Sequence, residues 1–354
     1  MSHNILITGG SGYLGGTLLA RMGSANLPSY GKLYALVRTD EQAAAVKQYG
    51  AEPLAFNIQD EATVRDTVLK HDISVVFYLV DPFFSAAQVH FIKALAEIKE
   101  TTGRHVHFLH TSGAKIFSSH AGAPTDKPLL DNDPCLYDVQ KSQQAPIGFM
   151  QIPVETNNIV IEEAEKHDVR SYIFVPCIVY GKGEGFGNAI SIQTVAIVRA
   201  AKAMKRVYRV DSDQPTWPVC HIIDNTTLYI ELLRKILSGG NPGHGKNGYY
   251  LASSGSVSWD ALYAAMGTAL AKRNLIENDS IVMASDENIE GLAKALGCPQ
   301  QFSPKEWVEL SLGGKCTFTA RRGYELGWKS QYAPTHILDD ADAEVEHILQ
   351  YLKD

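Results

Sequence analysis

Residues 5–15 read Ile-Leu-Ile-Thr-Gly-Gly-Ser-Gly-Tyr-Leu-Gly, and no other stretch constrains the fold as tightly. A short apolar run ends in a glycine-rich turn, and an amphipathic segment, Tyr13–Met22, follows at once. Gly9, Gly12 and Gly15 fall three apart, while Gly10, Gly12 and Gly15 also satisfy G-x-G-x-x-G. Each glycine has a separate physical reason: a tight turn off a strand, close approach of a pyrophosphate to backbone, and close packing of helix on strand. The first turn of the helix then offers free N–H groups to phosphate. The spacing is weak evidence alone, but between a strand and a helix it predicts a dinucleotide site. Thr8, Gly9, Gly10, Gly12, Tyr13, Leu14 and Gly15 are its expected contacts.

Strand and helix patterns alternate after this unit. Strands are predicted at 3–8, 32–37, 52–56, 75–79, 105–111 and 170–175, with helices at 14–22, 41–49, 61–71, 86–101 and 154–167. The strands are apolar almost throughout, as a parallel sheet covered on both faces requires. The expected class is therefore α/β, a Rossmann-type doubly wound parallel sheet. From about Gly181 the rhythm changes to Gly-, Pro- and Asn-rich connections between helices at 190–204, 225–237, 258–272 and 336–352. This predicts a dinucleotide-binding domain over 1–181 and a smaller, mostly helical substrate lobe over 182–354. A return to the main sheet near 219–237 would interleave the two.

The formal net charge of −7 gives no basic face for nucleic acid. Five scattered cysteines form no C-x-x-C and the histidines show no metal-ligand spacing, so neither a disulfide framework nor a catalytic metal is expected. Residues 1–4 are too short for a cleaved leader before the first strand, and no apolar run approaches membrane-spanning length. The expectation is a soluble, cytoplasmic protein with a small-molecule substrate.

The N-terminal T-G-G-x-G-x-x-G, Thr111-Ser112-Gly113 after the fifth strand, and Pro176-Cys-Ile-Val-Tyr180-Gly181 after the sixth together resemble the extended short-chain dehydrogenase/reductases, of epimerase/dehydratase type. The resemblance spans nearly the whole chain. It implies a nicotinamide cofactor, a substrate lobe toward the C-terminus and a homodimer through paired helices. Leu79, Thr111, Pro176 and Val179 would contact the cofactor, and Asn57-Ile58 would flank the adenine where the family usually has an Asp-hydrophobic pair. The second strand ends at Arg38 where an acidic residue would bind a ribose 2′-hydroxyl. An arginine can pair with a 2′-phosphate instead, so NADP is expected over NAD.

The family's catalytic Ser, Tyr and Lys are matched by Ser112 and by Tyr137-Asp-Val-Gln-Lys141. In that chemistry Lys141 would hold the ribose and lower the tyrosine pKa, while Tyr137 would exchange the proton. A competing register exists. Pro146 and Pro153 interrupt the stretch after Lys141, and counting back from the sixth strand puts Ile147 and Gln151 at the Tyr and Lys positions. Should Tyr137 fall away, Tyr78, His90 and Tyr180 are the next proton donors. Asp81, Phe83, Tyr180, Phe186 and Trp217 are candidate substrate contacts. Three functions fit these residues: an NADPH-dependent oxidoreductase on a small carbonyl or alcohol, an epimerase or dehydratase recycling its nucleotide, and an inactive NADP-binding sensor.

Overall fold

The computed structural model describes residues 2–352. Fourteen strands are assigned there: β1 (Asn4–Ile7), β2 (Leu33–Leu36), β3 (Glu52–Leu54), β4 (Ile73–Tyr78), β5 (His107–Thr111), β6 (Leu129–Leu130), β7 (Arg170–Pro176), β8 (Ile178–Tyr180), β9 (Val207–Arg209), β10 (Thr216–His221), β11 (Tyr249–Ala252), β12 (Gly255–Ser258), β13 (Ile281–Met283) and β14 (Phe318–Thr319). Seven of them build one sheet in the order β11-β7-β5-β4-β1-β2-β3. Every pairing in it is parallel.

The sheet is covered on both faces because its strands alternate between two cores. Along β4, Val75 and Phe77 enter one core and Val76 and Tyr78 the other. On one face lie α1 (Tyr13–Met22) and α2 (Asp40–Lys47). On the other lie α3 (Glu61–Lys70), α4 (Ala86–Thr102) and, after the short α5 (Leu136–Lys141), α6 (Gln151–Lys166). Local signals set the ends. The Thr39 and Asp60 side chains cap the N-termini of α2 and α3, and Gly103, at φ +68°, closes α4. α6 starts earlier than its pattern predicts. Pro153 is its third residue, in the first turn where no intrahelical N–H is needed, so the proline does not break it.

One sheet assignment needs correction. Residues 219–223 do not return to the main sheet; β10 pairs instead with β8 and β12 in a separate three-stranded sheet. The main sheet's last strand is β11, parallel to β7. The following α8 (Ile222–Leu237) does join the core under α1. The C-terminal part adds α7 (Gln193–Met204), α9 (Trp259–Lys272), α10 (Asp286–Ala295), α11 (Pro304–Leu312) and a last long helix, Ala341–Tyr351. Two small pairings, β6 with β14 and β9 with β13, tie this part together and to the first half. The strand order reverses between β1 and β4, and the crevice at their carboxyl ends is where ligands bind in such sheets.

Candidate active site

The glycine turn lies at that crevice. Gly9 has φ +71°, and a Cβ there would stand 2.6 Å from the Leu79 carbonyl oxygen. A Cβ on Gly15 would stand 2.4 Å from the Gly9 oxygen, so this glycine seats the helix on the turn. Gly10 instead packs against Leu19. Gly12 is the cap of α1, with no side-chain cap of its own. A Cβ there would meet only the Gly9 oxygen, at 3.2 Å, and would fill the space before the helix N-terminus. This cradle fits a pyrophosphate. Thr8 supports it from behind, its hydroxyl accepting from the Leu79 N–H at 2.9 Å.

A second segment closes over the outer side of the turn. Residues 181–188 cross α1: a Cβ on Gly185 would lie 2.4 Å from the Gly16 Cα, and one on Gly187 would lie 2.1 Å from the Ser11 oxygen. The Asn188 N–H donates to that same oxygen at 2.9 Å. The Tyr13 hydroxyl donates to the Gly181 carbonyl at 2.6 Å, and Arg21 forms a two-pronged pair with Glu184.

From the cradle a cavity of about 750 Å³ runs between the sheet and the C-terminal helices. Gly9, Gly12, Tyr13, Leu14 and Gly15 line one end. Leu79, Thr111, Ser112, Pro176 and Val179 form the floor. Phe83, Phe84, Phe149, Trp217, Phe302 and Trp307 make an apolar wall beyond. Among the described residues, Lys115 is the one charged side chain in the lining. Burial lowers its ammonium to about 8. Ser112 follows β5, its N–H donating to the Phe174 carbonyl, and its Oγ is buried with no hydrogen-bond partner. A buried hydroxyl left unsatisfied beside a cavity is ready for a ligand oxygen.

Tyr137 and Lys141 are not brought to Ser112. They lie on α5 and both bind Glu162 of α6: the Tyr137 hydroxyl donates to Oε1 at 2.5 Å, and Lys141 pairs with the same oxygen. Neither lines the cavity. Burial, with the Glu162 hydrogen bond second, raises the Tyr137 pKa, the opposite of what a proton-donating couple needs. The competing register brings no replacement. Ile147 is buried and Gln151 accepts from the Ala145 N–H, while Phe149 and Met150, in the 3₁₀ turn just before α6, and Pro153, in its first turn, line the cavity.

Other expected residues are placed as follows. Arg38 is exposed at the end of β2, its N–H donating to Gln42. Asn57 accepts from the Gln59 N–H, and the Ile58 carbonyl meets His90. Asp81 accepts from the Phe83 N–H, a local turn that occupies one of its oxygens, and does not line the cavity. Tyr180 is buried in the core against His336, and the half-buried Phe186 stacks on Tyr49; both lie outside the lining. Tyr78 is buried, and burial raises its pKa. Lys115, Asn188, Gln193, Phe149, Phe302 and Trp307 were not among the expected contacts. Only Lys115 carried a signal, a lone charge in the apolar run Ala-Lys-Ile-Phe three positions after Ser112.

The model of the NAD dependent epimerase/dehydratase family matches residues 5–245. The chain belongs to that family. It is accordingly an NAD(P)-dependent enzyme, with a nicotinamide dinucleotide as cofactor. No curated protein matches it in sequence. Among solved structures, the UDP-glucose 4-epimerase of Thermotoga maritima, solved with UDP-glucose, is 14% identical with a TM-score of 0.63, over 99% of this chain and 100% of the other. The dTDP-glucose 4,6-dehydratase of Bacillus anthracis, in complex with NAD, is 12% identical with a TM-score of 0.61, over 99% and 97%. A monomeric L-threonine 3-dehydrogenase from a metagenome is 14% identical with a TM-score of 0.57, over 97% and 99%. These likenesses are of fold. Among the described residues, no helix is long and apolar enough to cross a membrane, and no three His, Cys, Asp or Glu side chains gather as a metal site.

Proposed function

We propose that the protein is an NADP-dependent oxidoreductase acting on the carbonyl or alcohol carbon of a small, largely apolar metabolite. One observation carries this reading: a single cavity leads from the phosphate cradle past the unsatisfied Ser112 hydroxyl to an aromatic wall. The bound cofactor would supply or accept hydride. The chain's own part is to seat the substrate oxygen on Ser112 and to keep water from the reacting carbon with Phe83, Phe149 and Trp217. Ser112 would hydrogen-bond the substrate oxygen and stabilise charge on it, while Tyr137, held by Glu162, is not placed to exchange the proton. Arg38 supports NADP. Its side chain is exposed, pairs with no carboxylate among the described residues, and follows β2, the strand after which folds of this type read the ribose 2′-position.

Calorimetry with NADPH and NADH, followed by NADPH consumption over a panel of aliphatic and aromatic aldehydes and ketones, tests this. The expected result is tighter binding of NADPH, turnover of apolar carbonyls, and a loss of about 10²–10³-fold in kcat for Ser112→Ala. Tight NADPH binding with no consumption on any carbonyl would replace this reading with that of a nucleotide sensor.

A further inference from the structure

A second, smaller chamber of about 340 Å³ opens beside the first. The two share Lys115, Asn188, Ser191, Ile192, Gln193 and Trp307, so they form one continuous space. The side chamber adds Arg199, from the second turn of α7, and Ser311, from the end of α11. We propose that this chamber holds an anionic group of the substrate, a carboxylate or a phosphate monoester, between Lys115 and Arg199. The proposal rests on the oxidoreductase reading and names the substrate class: an apolar body with a carbonyl at Ser112 and an anion at one end.

Charge is the first argument. The chain has a formal net charge of −7, yet among the described residues no Asp or Glu lines either chamber. Lys115 is half-buried and Arg199 lies at the exposed rim of the chamber, whereas three other arginines of comparable or deeper burial than Lys115 have carboxylate partners: Arg104 with Asp72, Arg209 with Asp260, and Arg273 with Asp342. Lys115 and Arg199 form no ion pair or hydrogen bond among the described residues. Desolvating an ammonium without a counter-ion is costly, and evolution ordinarily avoids it unless a ligand supplies the charge.

Position is the second argument. Lys115 lies on the 3₁₀ turn Ala114–Phe117, whose residues Ala114, Ile116 and Phe117 are buried and fix it three positions from Ser112. α7 begins beside it with no side-chain cap, so the positive end of its dipole adds to the same field. The polar Asn188, Ser191 and Gln193 complete the lining next to the two cations. By contrast the wall of the main cavity is aromatic, which separates the two halves of an amphipathic ligand.

The test reads binding without turnover, so it stands apart from the test of the oxidoreductase reading. Protein saturated with NADP⁺ is titrated by calorimetry with benzoate, phenyl phosphate and benzyl alcohol. At least one anion is expected to bind tenfold or more tighter than the alcohol, and the stronger of the two identifies the group. Lys115→Met and Arg199→Met should each weaken that anion by about ten- to hundredfold, with benzyl alcohol unaffected. Lys115→Arg should retain most of the affinity, and equal NADP⁺ binding by all variants confirms that they fold. Equal binding of alcohol and anions, no binding of any probe, or unchanged anion affinity in both Met variants overturns the proposal. Competition of the anion with NADP⁺ would assign the chamber to the cofactor and overturn it too. Anion binding without any NADPH consumption would sink the oxidoreductase reading and leave the anion site standing.

Discussion

Removing the Tyr137 hydroxyl separates a catalytic role from a structural one. Tyr137→Phe deletes one hydrogen bond, to Glu162 Oε1 at 2.5 Å, and keeps the buried ring under the Lys246 ammonium, 4.8 Å from its centroid. A hydrogen bond to a charged partner contributes about 1.5–3 kcal/mol when desolvated. Here the Glu162 side chain is 43% exposed and keeps Lys141, so solvent screens the interaction and about 1 kcal/mol is expected. For a chain of this length that lowers the melting temperature by about 2 °C or less. NADPH affinity and kcat should stay within about a factor of two, since no atom of Tyr137 reaches the cavity lining, whereas a lost proton donor costs about 10²–10⁴-fold. Thermal unfolding and steady-state NADPH consumption, measured on the same preparations, decide the matter. A hundredfold fall in kcat with the melting temperature unchanged would refute the argument and return Tyr137 to the reaction.

Three further outcomes follow from particular contacts. Arg38→Asp should weaken NADPH by about ten- to hundredfold and NADH much less, because a charge-assisted contact is exchanged for repulsion; equal losses in calorimetry would remove Arg38 from 2′-phosphate recognition. Gly12→Val should abolish dinucleotide binding in a folded protein, as φ −82° suits any residue while the side chain fills the cradle; circular dichroism and titration together report it. Asp131 accepts N–H bonds from Leu251, Arg321 and Arg322, and burial holds its carboxyl up at about 6. That lies above its unfolded value of about 3.9, so the folded chain binds the proton more tightly. The group's contribution to stability is thus greatest at low pH and falls as pH rises from about 4 to about 6. Urea unfolding across that window should lose this slope in Asp131→Asn, and an unaltered slope would refute the assignment.

The parts of this fold that follow from backbone geometry were legible in the chain. Gly9 and Gly15 are needed at fixed places in a strand–turn–helix, and each proves to touch backbone where a Cβ could not fit. Ser112 follows from its position after a buried strand. The parts that depend on which surfaces meet were not. Tyr137 and Lys141 share a helix face by spacing alone, but spacing does not say that the face meets Glu162. Pro153 looks like a break until the helix is seen to begin at Gln151. The strand Tyr249–Ala252 comes after a Gly-rich connection and outside the run of alternating strands and helices, and only its pairing with β7 gives it a place in the sheet. Lys115 carries no motif, and its meaning comes from α7 and α11, contributed by residues far along the chain.

The crossing of residues 181–188 over α1 has a consequence for the order in which the protein can be assembled. β1, the glycine turn and α1 leave the ribosome before residues 181–188, and their sequence already specifies the turn. Yet the outer wall of that turn is supplied by Gly185, Gly187 and Asn188, which are synthesised some 170 residues later. A nascent chain ending before Gly181 would carry the whole fingerprint and still present Ser11 and Gly16 bare to water. A chain stalled at the end of β8 should therefore hold its nucleotide loosely although every residue of the motif is in place.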